Sequence, residues 1–237
     1  MSNARNIASG AKFVDTAGDT MTGRLNISGA TVNYATSPIL QFNTTGTNTD
    51  NRNWAVGPAD DSYGNFHIFR SQSQSDSDPV DSAGKTLTIT KDGYVKKPNQ
   101  PSFAAVSLSS SASGQDCVFP NVRYNVGSHY SSSTGRFTCP VAGTYLFGWT
   151  NIAAQANDVY RYYIRVNGGT NISGTQNDTH LRIDTGATGS EYGTNGMFTW
   201  PVQLNANDYV NIYYYSDGGS LTYTASDYPQ FWGYLVG

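Results

Sequence analysis

Glutamate occurs once in this chain of 237 residues, at Glu191, and lysine only five times, so the residues that build solvated helices are nearly missing. No window sets apolar residues at helical spacing opposite charged ones, and long helices are not expected. Only 13% of residues are charged, with a net charge of -3. The 14 Lys and Arg form no basic run, which excludes a surface concentrated enough to hold phosphates, and with it a nucleic-acid partner. The longest apolar stretches, such as Tyr145 to Trp149, fall far short of the roughly 20 residues that cross a bilayer. A soluble protein with no membrane insertion is expected. The two cysteines, Cys117 and Cys139, have no metal or redox spacing. They are read as free, half-buried thiols, with a bridge between neighbouring strands left open. The first ten residues, Met-Ser-Asn-Ala-Arg-Asn-Ile-Ala-Ser-Gly, hold no apolar core of about 7 residues and do not read as a secretory signal. Synthesis in the cytoplasm is expected, and the four Asn-x-Ser/Thr sequons are read as chance in an Asn/Thr-rich chain.

What the chain does have is Gly, Ser, Thr, Asn and aromatics, the usage of many short strands joined by tight turns, so the expected class is all-β. Composition shifts near Lys96-Lys97-Pro98-Asn99-Gln100-Pro101: all five Lys lie at or before Lys97, and 14 of the 17 Tyr lie after it. The predicted organisation is an N-terminal region over 1–97, a Pro-punctuated linker over 98–101 and a larger domain over 102–237. In the first region, brief apolar groups are separated by polar clusters: Met21, Leu25 and Ile27; Ile39 and Phe42; Trp54 and Val56; Phe66, Ile68 and Phe69; Leu87 and Ile89. Asp92-Gly93 marks a turn before Tyr94-Val95, and the polar, acidic stretch from Ser71 to Ser82 is expected to be a mobile loop. So little apolar surface would hardly stabilise such a region alone, and chains associating side by side would resolve the shortage.

From Phe103 onward the polarity alternates as in a sandwich. Tyr145, Phe147 and Trp149 share a face, as do Tyr160, Tyr162, Ile164 and Val166, and again Phe198, Trp200, Val202 and Leu204. Val210, Ile212 and Tyr214 follow, and Phe231 to Val236 closes the run; about eight to ten strands in roughly 135 residues fit a jelly-roll β-sandwich. Within it, Val118, Phe119, Val122, Asn125, Gly127 and Tyr130 lead into Gly135-Arg-Phe137-Thr-Cys-Pro140-Val-Ala-Gly143-Thr-Tyr145-Leu-Phe147. Leu204-Asn-Ala-Asn-Asp208-Tyr-Val210 and Phe231-Trp-Gly233-Tyr-Leu235 come later. In order and spacing these resemble the globular domain of complement component 1q, over a little more than half of the chain. One departure is Asn207, where that family has Gly; Asn also tolerates the left-handed backbone. Phe137, Pro140, Gly143, Tyr145, Phe147, Asp208, Phe231 and Gly233 are read as scaffold for fold and trimer. Gly143 is expected at a tight turn before the aromatic strand, and Gly233 where its bulky neighbours Trp232 and Tyr234 crowd. The resemblance implies a homotrimer with flat aromatic faces packed about a three-fold axis. Tyr163, Tyr213 and Tyr215, left over when the opposite strand faces fill the core, are assigned to that packing.

A second resemblance lies in the first region. Gly18-Asp19-Thr20-Met21-Thr22-Gly23-Arg24-Leu25 resembles the Gly-Asp-Thr-Met-Thr-Gly-x-Leu motif of bacteriophage tail-fibre proteins, and Lys85 to Val95 is similar to strand-turn segments of fibre shafts. The likeness implies a virion protein whose first region is a shaft or attaches to a tail or baseplate protein, with a head released by lysis. Chemistry has no comparable signal. His67, His129 and His180 lie apart from any Cys or carboxylate at zinc spacing, so no metal site is read from them. Asp158, Asp178, Asp184 and Glu191 are the carboxylates considered for a glycan-cleaving pair, but loop Asp residues far more often serve turns. No Gly-x-Ser-x-Gly, phosphate loop or Cys/His pairing is present, so the chain is not read as an enzyme and no catalytic residue or cofactor is assigned. Calcium, which some members of the resembled family bind, is a minor reading through Asp158, Asp217 and Asp227. The topology the resemblance implies puts three loops at the far end of the head. They carry Asn157, Asp158, Glu191, Tyr192, Asp217, Tyr223, Asp227 and Tyr228, stiff aromatic faces beside hydrogen-bonding groups, suited to a host-surface polysaccharide or protein. A receptor-binding fibre is the leading expectation; a structural decoration of capsid or baseplate, and then a tail-associated hydrolase, rank behind it.

Overall fold

The computed structural model describes residues 38–44, 47–58, 64–76, 79–80, 84–108, 113–152, 159–169, 180–184, 195–216 and 229–237. Every regular element among them is a strand, in keeping with the shortage of helix formers. The chain divides after Lys97 into two units.

In the first unit β1 (Leu40–Phe42), β2 (Trp54–Pro58), β3 (Phe66–Arg70), β4 (Lys85–Ile89) and β5 (Val95–Lys96) form an antiparallel meander in chain order. Gly93 turns β4 into β5 at φ +85°, its N–H donating to Thr90 O at 2.8 Å, the Asp92-Gly93 turn at its expected place. One sheet face buries Ala55 and Phe69 under Val80, with Ile39 packed beside them. Asn53 ties this cover down: its Nδ2 donates to Asp76 O at 2.8 Å, and its N–H donates to Ser71 Oγ at 2.9 Å. The described part of the stretch expected to be mobile is therefore anchored. A buried amide satisfies its backbone, while Ser71, Pro79 and Val80 are buried. The opposite face is apolar in rows set by register. Leu40, Val56, Ile68 and Leu87 align across the centre. Pro58, Phe66, Ile89 and Val95 flank them on one side, and Phe42, Trp54 and Arg70 on the other.

The second unit adds β6 (Ser102–Val106), β7 (Gln115–Asp116), β8 (Asn121–Val126), β9 (Tyr130–Ser131), β10 (Arg136–Thr138) and β11 (Gly143–Ile152). It continues with β12 (Val159–Val166), β13 (His180–Asp184), β14 (Asn195–Leu204), β15 (Tyr209–Ser216) and β16 (Gln230–Leu235). Two antiparallel sheets result, ordered β14-β11-β16-β6-β8 and β13-β12-β15-β10-β9, with β7 also pairing β15. This is the expected jelly-roll sandwich, and period-2 alternation fills it. Tyr145, Phe147 and Trp149 from one sheet meet Tyr162, Ile164, Val210, Ile212 and Tyr214 from the other, all buried. Phe103 is the hub. Its ring stacks on Tyr130 (centroids 4.6 Å, interplanar 5°) and Phe137 (5.1 Å), and meets Phe231 edge-on at 4.9 Å.

Two scaffold glycines act for reasons other than those expected. Gly143 is the first residue of β11 rather than a turn; a Cβ there would meet Leu235 Cδ1 at 2.9 Å and Gly237 O at 3.0 Å. Gly233 faces the core, where a Cβ would collide with Phe147 and press on Phe103. Its sequence neighbours Trp232 and Tyr234 project from the opposite face, because successive strand residues alternate. Asn207 does take the left-handed backbone, at φ 71°. Cys117 and Cys139 are both buried free thiols, and burial pushes the Cys117 thiol well above its ordinary range. Tyr130 pins the loop before β8, donating its hydroxyl to Phe119 O at 3.0 Å.

Asp208 organises the β14–β15 turn. Its carboxylate accepts the Asn167 side-chain amide at 2.7 Å and the Asn205 N–H at 2.8 Å, which together hold its pKa below the ordinary 3.8. A depressed carboxyl contributes stability that is complete above its unfolded value and is lost as pH falls through the folded one. Asp208→Ala is therefore expected to cost about 0.5–1.5 kcal/mol at neutral pH. The gap between wild type and variant in urea melts should close as the pH drops below about 4.

Candidate functional site

The eight loop residues assigned to recognition, Asn157, Asp158, Glu191, Tyr192, Asp217, Tyr223, Asp227 and Tyr228, lie outside the described residues. The strand ends that flank them are described, and register gathers these ends. Ile152 pairs with Asn195, Val159 with Asp184, Tyr160 with Ser216, and Thr150 with Gln230. The ends of β11, β13 and β15 and the starts of β12, β14 and β16 thus share one end of the sandwich. The chain joins β6 at the other end, where Leu235 N–H donates to Pro101 O at 3.0 Å and Thr144 N–H donates to Gly237 O at 2.8 Å.

The outward faces of the two sheets differ in chemistry. On β12 and β15, Tyr163, Tyr213 and Tyr215 do point away from the core, yet they do not make a bare aromatic face. Arg165 lies 3.2 Å from the Tyr213 ring centroid, Arg136 4.4 Å from that of Tyr209, and Arg161 5.7 Å from that of Tyr215. Asp116 stands between two of these cations, 3.5 Å from Arg136 and 3.8 Å from Arg165. Cations and a carboxylate thus interleave with the tyrosines of this face.

The opposite sheet is nearly free of charge. Arg123, at the β8 bulge, is the one charged residue in the sequences of its five strands. Register aligns Thr199, Gly148, Trp232, Ala104 and Tyr124 outward in one row, with Leu146, Tyr234 and Val126 in the next. Trp232 and Tyr234 lie with rings stacked at 6.2 Å and 11°. A Cβ at Gly148 would overlap the indole of Trp232, so the missing side chain is what lets that ring lie flat. The signal for this face was present in the sequence as the near absence of charge from these strands.

Of the histidines, His67 is buried and bonded through Nδ1 to Thr88 Oγ1 at 2.9 Å, and His129 lies edge-on to Phe137 at 6.2 Å. The side chain of His180 lies outside the described residues, as do Asp158, Asp178, Glu191 and the side chain of Asp184. Among the described residues no three His, Cys, Asp or Glu gather as a metal site. No helix among them is long and apolar enough to cross a membrane.

A family model for the C1q domain matches residues 102–236. Among solved structures the chain is similar to the globular domain of zebrafish complement 1qA, at 17% identity and TM-score 0.40, covering 58% of this chain and 98% of that one. It is also similar to the Eiger TNF of S. frugiperda, at 9% identity and TM-score 0.37, covering 58% of this chain and 94% of that one. Comparison with curated proteins finds no match.

Proposed function

Because the chain belongs to the C1q domain family, whose domains commonly form homotrimers and bind ligands, we propose that it is a homotrimeric phage tail fibre whose head recognises a host-surface glycan or protein. The observation that carries this reading is the gathering of six strand ends at the end of the head opposite Pro101. In this reading, the segments that those strand ends flank are the ones that a tethered knob offers to a cell. The nearly uncharged face of β14-β11-β16-β6-β8 supports packing of three copies, because obligate interfaces resemble a core cut open. Three loop sets per fibre raise weak contacts by about 10²-fold or more where geometry permits. The phage context rests on the Gly18 to Leu25 motif. Nothing in the reading requires catalysis: the proposed role of Asn157, Tyr192, Tyr223 and Tyr228 is contact, not bond breaking.

Pull-down of host cells by the full chain tests the reading. Binding to sensitive but not to receptor-deficient cells is expected, reduced at least about 10-fold when Tyr192 and Tyr228 are both changed to Ala. Absence of cell binding together with tight assembly onto virions would replace it with a decoration role. Release of reducing sugar from host polysaccharide would replace it with hydrolysis.

A further inference from the structure

The first unit covers one face of its sheet with its own chain, through Val80 and the Asn53 tie, and leaves the other exposed. On that face Leu40, Phe42, Trp54, Phe66, Ile89 and Val95 are 38 to 59% exposed. With about 150–250 Å² for a large side chain, they leave roughly 500 Å² of apolar surface open, near the upper end of what a monomer ordinarily shows. Rows of aliphatic and aromatic groups cross all five strands, and Arg70 at one corner is the only charge in the register-aligned rows.

We infer that this face is a self-association surface, buried in the assembled protein by the same face of other copies of this chain. Three features point to a copy and not to a foreign partner. Apart from Arg70 and the Trp54 indole at one edge, the rows lack the charges and hydrogen-bonding groups that select an unlike surface. A nearly uncharged face meets itself without repulsion, whereas an unlike partner has no complement to recognise. Covalent linkage to a head of a commonly trimeric family holds the copies at millimolar effective concentration, so even a modest interface closes. The inference rests on the trimer proposed above and adds that the first unit is itself part of the trimer core rather than a set of separate arms. The sheet then becomes stable by assembly, which resolves its thin internal core of Ala55, Phe69 and Val80.

Ile68→Cys, at the centre of the face, tests this in the full chain, with Ile89→Cys as a second site if the first folds poorly. Cys117 and Cys139 are buried and serve as silent background. Expected is a trimer by light scattering in which a short bismaleimide links two copies through the new thiol, while Lys91→Cys, on the exposed β4–β5 turn, links far less. A trimer whose Ile68→Cys thiol labels freely and does not cross-link overturns this inference and leaves the trimeric head standing. A monomer overturns both. A monomer with a protected Ile68→Cys thiol shows that the chain's own residues cover the face, and likewise overturns it.

Discussion

Phe103→Ala is expected to destabilise the head by about 3–5 kcal/mol, a large share of the roughly 5–15 kcal/mol that holds a domain folded. The ring is fully buried and touches both sheets at once: Tyr130 and Phe137 on one side, Phe231 and Phe147 on the other. Deleting it removes the transfer free energy of a benzyl group, leaves a cavity between rigid strands, and takes away aromatic pairings worth about 0.5–1.5 kcal/mol each. Phe103→Leu retains most of the volume and should cost less than half as much. Urea midpoints compared at one protein concentration are the measurement, since assembly makes apparent stability concentration-dependent. An unchanged midpoint for the alanine variant would contradict the placement of Phe103 at the centre of the core.

Gly148→Val is expected to leave the head folded and to abolish the proposed trimer at micromolar concentration. The new side chain would occupy the space of the Trp232 indole, so the ring is expected to leave the sheet surface. Valine itself suits a strand. Losing one flat aromatic anchor costs an interface about 2 kcal/mol or more, and a trimer suffers it at every contact. Light scattering should report a monomer mass, and tryptophan emission should shift to the red as Trp232 meets water. A variant that keeps its trimer mass while Trp232 is displaced would move the interface to another face.

How far the molecule could be read from its residues depends on how local each cause is. Tyr145, Phe147 and Trp149 were placed correctly because alternation is a property of the strand alone. The same rule set Tyr163, Tyr213 and Tyr215 outward, but Arg161 is brought to Tyr215 and Arg165 to Tyr213 only by the pairing of β12 with β15. Gly143 and Gly233 were recognised as scaffold with the wrong reasons attached. The atoms that exclude a Cβ belong to Leu235, Gly237, Phe103 and Phe147, far away in the chain. In the first unit Phe66, Ile68 and Phe69 read as one apolar group, yet Phe69 faces the covered side and the other two face the bare one. Of the proposed recognition site, only the convergence of the flanking strand ends is described, and that follows from register, which no single loop residue encodes.

The position of β16 bears on how the protein is made. This strand lies in the interior of its sheet, between β11 and β6, and supplies Phe231 to the core and Trp232 to the outer face, although it is the last strand in chain order. While the ribosome is still upstream of Gln230, β6 and β8 have no sheet to join and the apolar inner face of β11 lacks its neighbour. The head is thus expected to close late, through a long-range pairing that is intrinsically slow. The yield of folded head is therefore expected to depend on translation pace and chaperone supply until Gln230–Leu235 has been made.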